Sequence, residues 1–414
     1  MADLGAGPAA IPRAIAEARV AQVARASYGR LVGILSAPAG DIAGAEDALS
    51  EALQAALVTW PGSGVPDNPE GWLVRVARNR MTDAHRRALK RDPLPVEAHA
   101  LPVSGTPQAP QDDPRLALLF VCAHPGIAEA ARGPLMLQAV LGFTAAEIAR
   151  AFVASPAAMS KLLVRAKTRI KANAMPFRVP EGALRTERLR DVTEAIYGCY
   201  ALVWREGPEA DEMQREAVFL ADLLATDMPD DSEVLGLSAL LAFLHARRSA
   251  RLDAGRYVPL PDQRTELWDH ALIAAAEARL RQAFELGRPG RFQIEAAIQS
   301  VHAARVRTGK TDQTALAALY EGLVRIAPTL GAQVSRAAVL GALQGAQAGL
   351  AALDMIDDAR LARFQPYWAA RAHLLAQAGA VTEAREAYAR AIALTHAPPE
   401  RAFLASARAA LMQS

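Results

Sequence analysis

Two stretches combine side chains that neutralise phosphate with side chains that read a base edge. In GWLVRVARNRMTDAHRR, Arg75, Arg78, Arg80, Arg86 and Arg87 recur at helical intervals around Asn79. Guanidinium groups contact phosphate oxygens, and an asparagine amide offers a donor and an acceptor to a base. In FTAAEIARAFVASPAAMSKLLVRAKTRIK, Lys161, Arg165 and Arg169 stand one turn apart, opposite an apolar stripe of Met159, Leu162, Leu163, Ala166 and Ile170. The candidate nucleic-acid contacts are Arg75, Asn79, Arg80, Arg86 and Arg87 in the first stretch. In the second they are Ser155, Ser160, Lys161, Arg165, Lys167 and Arg169. Taken alone, either stretch also reads as a surface helix with a solvated cationic face, because charge runs mark exposure in general.

The elements that must hold these residues are helices. Thr144 with Glu147 three positions on predicts a capping box. Val153 and Ala154 close a turn, and Ser155 followed by Pro156 starts a second, basic helix. Two short helices of this kind suit a helix-turn-helix whose second member enters the major groove. Asn68-Pro69 opens the helix that carries Arg75 and Asn79. Before it, AEDALSEALQAALVTW predicts an amphipathic helix with an acidic shoulder at Glu46, Asp47 and Glu51. Residues 11–37 predict one or two helices, and a block from Pro114 ends at Gly142. Between them, DPLPVEAHALPVSGTPQAPQDD is proline-rich and lacks periodicity, as a linker does.

The whole chain narrows the function classes. Its 414 residues are 52% hydrophobic, carried mostly by alanine and leucine, with 5% aromatic residues. That composition predicts an all-α protein. With 46 basic and 44 acidic residues, the net charge is only +2. Any nucleic-acid site is therefore local, and two separated basic patches suit two contacts on one DNA. Cys122 and Cys199 are the only cysteines and have no CxxC partner, which argues against a disulfide framework or structural zinc and suits a reducing cytoplasm. No secretory signal or convincing membrane span is expected. The phosphate-loop, zinc-protease and nucleophile-elbow signatures are missing, so neither an enzyme nor a cofactor is expected. Cys122 with His124 makes too small a metal set, and His245, His270, His302 and His373 are scattered through helical segments.

AEDALSEAL, GWLVRVARNRMTDAHRR, the proline-rich linker and FTAAEIARAF...RAKTRIK occur in the order of regions two and four of an extracytoplasmic-function (ECF) sigma factor, which the chain resembles over roughly residues 15 to 180. GVPDNPEGWL, FVCAHPGIA and MPFRVP resemble more closely the subgroup with a C-terminal tetratricopeptide-like extension. The resemblance implies a region 2-like domain over 11–91, a linker over 92–113, a region 4-like helix-turn-helix domain over 114–180 and a helical extension over 184–414. It also implies a promoter-specificity subunit whose partners are the bacterial RNA polymerase core and promoter DNA. Glu46, Asp47, Leu49, Ser50 and Glu51 would dock on the polymerase core. Arg75 and Asn79 would work at the −10 element, and the recognition helix at the −35 element. Val74 stands where relatives often have an aromatic residue. Ala158 and Leu162 stand where close relatives tend to have threonine and arginine. A missing bidentate contact costs about 1 to 3 kcal/mol of discrimination.

Beyond Leu184 the chain turns to alanine-rich helices. EVLGLSALLAFLHARR, ELWDHALIAAAEARLRQAF and ALAALYEGLVRIAP each predict an amphipathic helix. Trp368, Ala372, Gly379, Ala384, Tyr388 and Ala391 fall at tetratricopeptide intervals, and Ala338 and Gly345 precede Ala372 and Gly379 by the 34-residue period. A plain helical bundle is the competing architecture. Two competing functions stand beside the sigma factor. One is a protein-interaction scaffold or regulator whose sigma-like half has lost promoter readout. The other is a ligand-sensing helical enzyme, for which the sequence shows no polar cluster. Control through an intramolecular contact between the extension and the sigma-like half is a further expectation, since tethering makes a weak surface effective.

Overall fold

The computed structural model describes residues 10–91, 113–152, 154–202 and 208–412. Residues 1–9 of the N-terminal reading, residues 92–112 of the expected linker, Val153 of the expected turn and the side chains of Lys90 and Arg91 lie outside them. Among the described residues the chain is all-α apart from one small hairpin. It divides into two units, Met1–Leu223 and Leu224–Ser414.

In the first unit, α1 (Arg13–Ser36), α2 (Ile42–Ser63) and α3 (Pro69–Arg91) pack against one another. Residues 11–37 thus form one helix rather than two. Asp41 caps α2 by accepting the Gly44 N–H at 2.9 Å, and Asn68 accepts the Gly71 N–H at 2.9 Å ahead of Pro69. Fully buried Trp60 meets Trp72 edge to face, centroids 5.6 Å apart. Glu70 accepts from the Ser27 hydroxyl at 2.6 Å and pairs with Arg30, which fastens the start of α3 to α1.

The expected second block is two helices, α4 (Pro114–Cys122) and α5 (Glu129–Ala139), followed by α6 (Ala145–Ala151) and α7 (Pro156–Ala172). Asp113, placed by sequence in the linker, caps α4 by accepting the Arg115 N–H at 2.9 Å. Thr144 and Glu147 complete the capping box on α6. Gly142 takes φ +72°, the left-handed conformation that ends a helix at little cost for glycine. Next, α8 (Gly182–Leu202) packs on α4 and α5, burying Leu189, Val192, Ile196 and Tyr200. α9 (Pro208–Asp227) follows. The first unit therefore runs past residue 184 and ends within α9.

In the second unit, α10 (Ser232–Ala246) is buried from Val234 through Phe243 on every face, so it is a central helix and not the amphipathic one expected. The reason is that α11 (His270–Glu285) and α12 (Arg291–Ala303) both pack on it. Gly236 permits this, because a Cβ there would sit 2.5 Å from the Gln293 nitrogen. Glu233 on α10 accepts the N–H groups of Phe292 and Gln293, both at 3.1 Å, and so caps α12 from outside. Between α10 and α11, β1 (Leu252–Asp253) pairs antiparallel with β2 (Arg256–Tyr257). Ala254 and Gly255 both have positive φ, as a tight hairpin turn requires.

The remaining helices are α13 (Arg305–Thr308), α14 (Gln313–Ile326), α15 (Leu330–Gln344), α16 (Ala346–Asp354), α17 (Gln365–Gln377), α18 (Val381–Leu394) and α19 (Pro398–Ala410). From α14 onward each packs chiefly on neighbours in sequence, around a succession of small cores. Such a chain of local interfaces is the arrangement of repeat proteins. Gly345 and Gly379 both adopt positive φ after α15 and α17. The 34-residue correspondence is otherwise imperfect. Ala372 is fully buried, whereas Ala338 is half-buried and Ala337 takes the core position. Close approach of α15 and α16 is carried by Gly341 and Gly349, where a Cβ on the latter would lie 2.9 Å from the former's Cα.

Candidate nucleic-acid interface

At 100° per residue, Arg75, Arg78, Asn79, Thr82 and Arg86 share one face of α3, and Leu73 and Ala77 occupy the buried face. Arg80 and Arg87 lie on a second stripe closer to the core side, and Arg80 approaches Glu51 of α2 at 3.6 Å. All five candidates on α3 (Arg75, Asn79, Arg80, Arg86 and Arg87) are exposed. The helix thus carries a broad cationic surface with one amide, Asn79, near its centre. That surface suits phosphate neutralisation with limited base readout.

Beside it, α2 exposes Asp47, Ser50 and Glu51. Leu49, predicted as a docking residue, is only 1% exposed. It is part of the core that holds α2, because the helix turns the neighbours Leu49 and Ser50 to different faces. Glu46 is half-buried and paired across the unit. Residues missed by sequence are Leu57 and Val58, 37% and 82% exposed. They extend the Asp47, Ser50 and Glu51 face by further turns, and that three- and four-residue spacing was the signal available. An acidic face ending in exposed apolar residues fits a protein partner better than DNA.

On α7 the exposed face comprises Ala157, Ala158, Lys161, Val164, Arg165 and Thr168, with Ser160 and Arg169 on its flanks. Ser155 is exposed, and its hydroxyl accepts the Ala158 N–H at 3.2 Å, so it serves as the helix cap. Arg169 donates to the Gly126 carbonyl at 2.5 Å. Lys161 and Arg165 present the free cationic heads, and Val164 an apolar one that is 62% exposed. Lys167 departs from the surface reading. It is 8% exposed and paired with Glu46 of α2, because its position lies next to that of Leu163 on the buried side of the helix.

Around this pair the three N-terminal helices and the α4–α7 group are in direct contact. Lys171 lies 2.5 Å from Asp41. Tyr28 of α1 packs against Gly142, and burial, followed by the Glu46 charge, pushes its hydroxyl pKa up. Gly29 and Gly33, one turn apart on α1, lie under Val140 and Pro114. Arg115 sits between Asp113 at 2.7 Å and Glu216 of α9 at 2.8 Å, with the Phe219 ring centroid 4.3 Å from its guanidinium. Arg25 of α1 reaches Glu212 of α9 at 3.0 Å.

Burial raises both the Cys122 and the Cys199 thiol pKa, which keeps them protonated and unreactive. His124 Nδ1 accepts the Gly126 N–H at 3.0 Å, closing the turn after α4; burial, then Arg188 and Arg132, hold its pKa low. Among the described residues no three His, Cys, Asp or Glu side chains converge as a metal site, and no helix is long and apolar enough to cross a membrane.

Comparison with known proteins gives two family matches. Residues 23–91 match sigma-70 region 2, the segment that contains the acidic face of α2 and the cationic face of α3. Residues 188–284 match a family of unknown function, DUF6596, spanning most of α8 through α11. An uncharacterized protein of Rhizobium meliloti (strain 1021) is 37% identical over 374 residues, covering 87% of this chain and 88% of its own length. No solved structure matches. The protein therefore belongs to one family with the Rhizobium protein, aligned along most of both chains, and carries sigma-70 region 2 near its N-terminus and a DUF6596 domain beyond it.

Proposed function

We propose that this chain is an ECF-type sigma factor, a promoter-specificity subunit that binds the bacterial RNA polymerase core in the cytoplasm and directs initiation at its own promoters. The observation that carries this reading is the adjacency, within the region 2 match, of an acidic face on α2 to a cationic face centred on Asn79 of α3. The first surface suits the polymerase and the second suits the −10 element. α6 and α7 serve as a helix-turn-helix at the −35 element, with Lys161, Arg165 and Ser160 as the polar contacts. Ala158 and Val164 offer apolar contact to thymine methyls. The helices beyond α9 form a tetratricopeptide-like extension that regulates or supports the engagement.

Run-off transcription with purified core polymerase tests this. Discrete transcripts that depend on the added chain are expected, and Lys161→Ala should weaken them. The exposed alanines and valine on α7 favour a second reading, a scaffold with a sigma-like half that no longer reads promoters. Core binding without promoter-specific transcripts would select that reading.

A further inference from the structure

The turn between α4 and α5, His124-Pro125-Gly126-Ile127, lies in the FVCAHPGIA stretch and outside the exposed faces of α2, α3 and α7. Pro125 bars α4 from continuing, and a chain that leaves a helix must find other partners for the carbonyls it frees. Four carbonyls here are met by guanidinium groups from three helices. Arg188 of α8 donates through Nη1 to the Phe120 carbonyl at 3.3 Å. Arg132 of α5 donates to the Ile127 carbonyl at 3.1 Å and to the Pro125 carbonyl at 3.4 Å. Arg169 of α7 donates to the Gly126 carbonyl at 2.5 Å. A Cβ on Gly126 would lie 3.0 Å from both His124 Nδ1 and Met175 Cε, so glycine lets the segment leaving α7 close on the turn. Met175 is itself tied to α7, its N–H donating to the Ile170 carbonyl at 3.2 Å.

These grips join two parts of the chain with different tasks. Arg169 and Met175 belong to the basic helix α7 and its exit, whereas Arg188 and Asp191 belong to α8, within the DUF6596 match that begins at residue 188. Asp191 accepts from Arg132 at 2.8 Å, so α8 holds the turn twice, directly and through α5. α8 packs on α4 and α5, and α5 on α7, which makes the turn the place where a shift of α8 reaches α7. Arg188 decides between packing and positioning. It is 5% exposed, and among the described residues its Nε has no hydrogen-bond partner. Burial lowers its pKa against the opposing charge of Glu187. A buried guanidinium so poorly paired stabilises less than an apolar side chain of similar size. Packing alone therefore does not account for an arginine at 188, whereas alignment of the turn does.

We infer that the 124–127 turn is a coupling site through which α8 sets the pose of the recognition helix α7, with Arg132, Arg169 and Arg188 as positioning residues for the −35 contact. This rests on the proposed function and names how residues of the DUF6596 match enter promoter readout. Lys161 and Arg165 read a base edge only when their donors meet its acceptors at hydrogen-bond distance, so a small rotation of α7 forfeits the contact. Arg169 holds α7 in that pose through the Gly126 carbonyl rather than reading the DNA itself.

A pool of DNA templates randomised across both promoter elements, transcribed by purified core polymerase with the full chain, tests it. Sequencing the templates that yield transcripts gives the enrichment of each element. Arg188→Met should lower −35 enrichment by about tenfold, the size of one lost base contact, and leave −10 enrichment unchanged. Its melting temperature should match or exceed that of the parent, which an arginine serving stability alone would not allow. Combining it with Arg169→Met should be no worse than the worse single variant, because both act on one turn. An added loss would make Arg169 a direct DNA contact and overturn its positioning role. Hydrogen exchange of the free chain gives a readout without DNA: in Arg188→Met the amides of residues 170–175 should exchange about tenfold faster. Should that variant not fold, Arg188→Lys, which keeps the charge without the fork, replaces it in both measurements. Equal losses at the two elements, or unchanged −35 enrichment in a folded variant, overturn the coupling. If the parent chain enriches neither element, the sigma reading fails and the −35 role with it. Faster exchange at residues 170–175 then still supports the hold of α8 on α7, and unchanged exchange overturns it.

Discussion

Arg75 and Asn79 are exposed on the same face of α3, so their substitution separates function from folding. Arg75→Ala or Asn79→Ala should each lower promoter-dependent run-off by about 5- to 150-fold, the equivalent of about 1–3 kcal/mol per base contact. Unfolding free energy should change by no more than about 0.5 kcal/mol. The cationic stripes were legible because helical spacing repeats within a few residues. The burial of Lys167 was not, because its partner is 121 residues away. His302 is a different case, a half-buried imidazole whose pKa is lowered to about 4 by burial, then by the charges of Arg247 and Arg305. A depressed value means that the fold prefers the neutral ring. Its contribution is complete above the ordinary value of about 6.5 and is lost as pH falls from there towards 4. At ~1.36 kcal/mol per unit this amounts to up to about 3 kcal/mol. Urea unfolding of the second unit should show that loss between pH 7 and 4, and His302→Gln should flatten the profile.

Several helix beginnings could be read directly, because Asn68, Thr144 and Ser155 act on N–H groups three residues away. What sequence hid was the partner of each helix. α10 is apolar all round because two helices cover it, and local periodicity carries no record of that second neighbour. The Ala254–Gly255 hairpin lacks the asparagine or aspartate that usually announces such a turn. Arg115 illustrates the same limit, because nothing near it in sequence announces Glu216. Burial raises and Arg115 lowers both carboxylates, with net results of opposite sign: Asp113 falls below its ordinary value and Glu216 rises above it. The Asp113 contribution is present above the ordinary carboxylate range and is lost as pH falls through its lowered value. The Glu216 contribution is present below that range and is lost as pH rises through its raised value. The two oppose each other, so the intact Asp113, Arg115 and Glu216 group should depend only weakly on pH near the carboxylate range. Arg115→Met leaves two largely buried carboxylates without their cation, which should cost about 3–5 kcal/mol at pH 7. Protonating them should recover much of that, so the stability gap between variant and parent, followed by urea titration at pH 7 and pH 4.5, should narrow in acid.

Across the whole molecule, the change of composition near Leu184 suggests a domain boundary, whereas the first unit extends into α9. The physical reason is that α8 supplies part of the core of what precedes it. Leu189, Val192, Ile196 and Tyr200 are buried, and α8 packs on α4 and α5. At about 1.5–3 kcal/mol for each buried large side chain, these four contribute about 6–12 kcal/mol, comparable with the ~5–15 kcal/mol that keeps an ordinary domain folded. A chain cut after residue 183 should therefore lose cooperative unfolding and expose apolar surface to dye. One cut after residue 227 retains α8, Glu212 and Glu216, and should melt in a single transition by circular dichroism. Equal cooperativity in the two fragments would mean that α8 is a connector lying on a self-sufficient α4–α7 group.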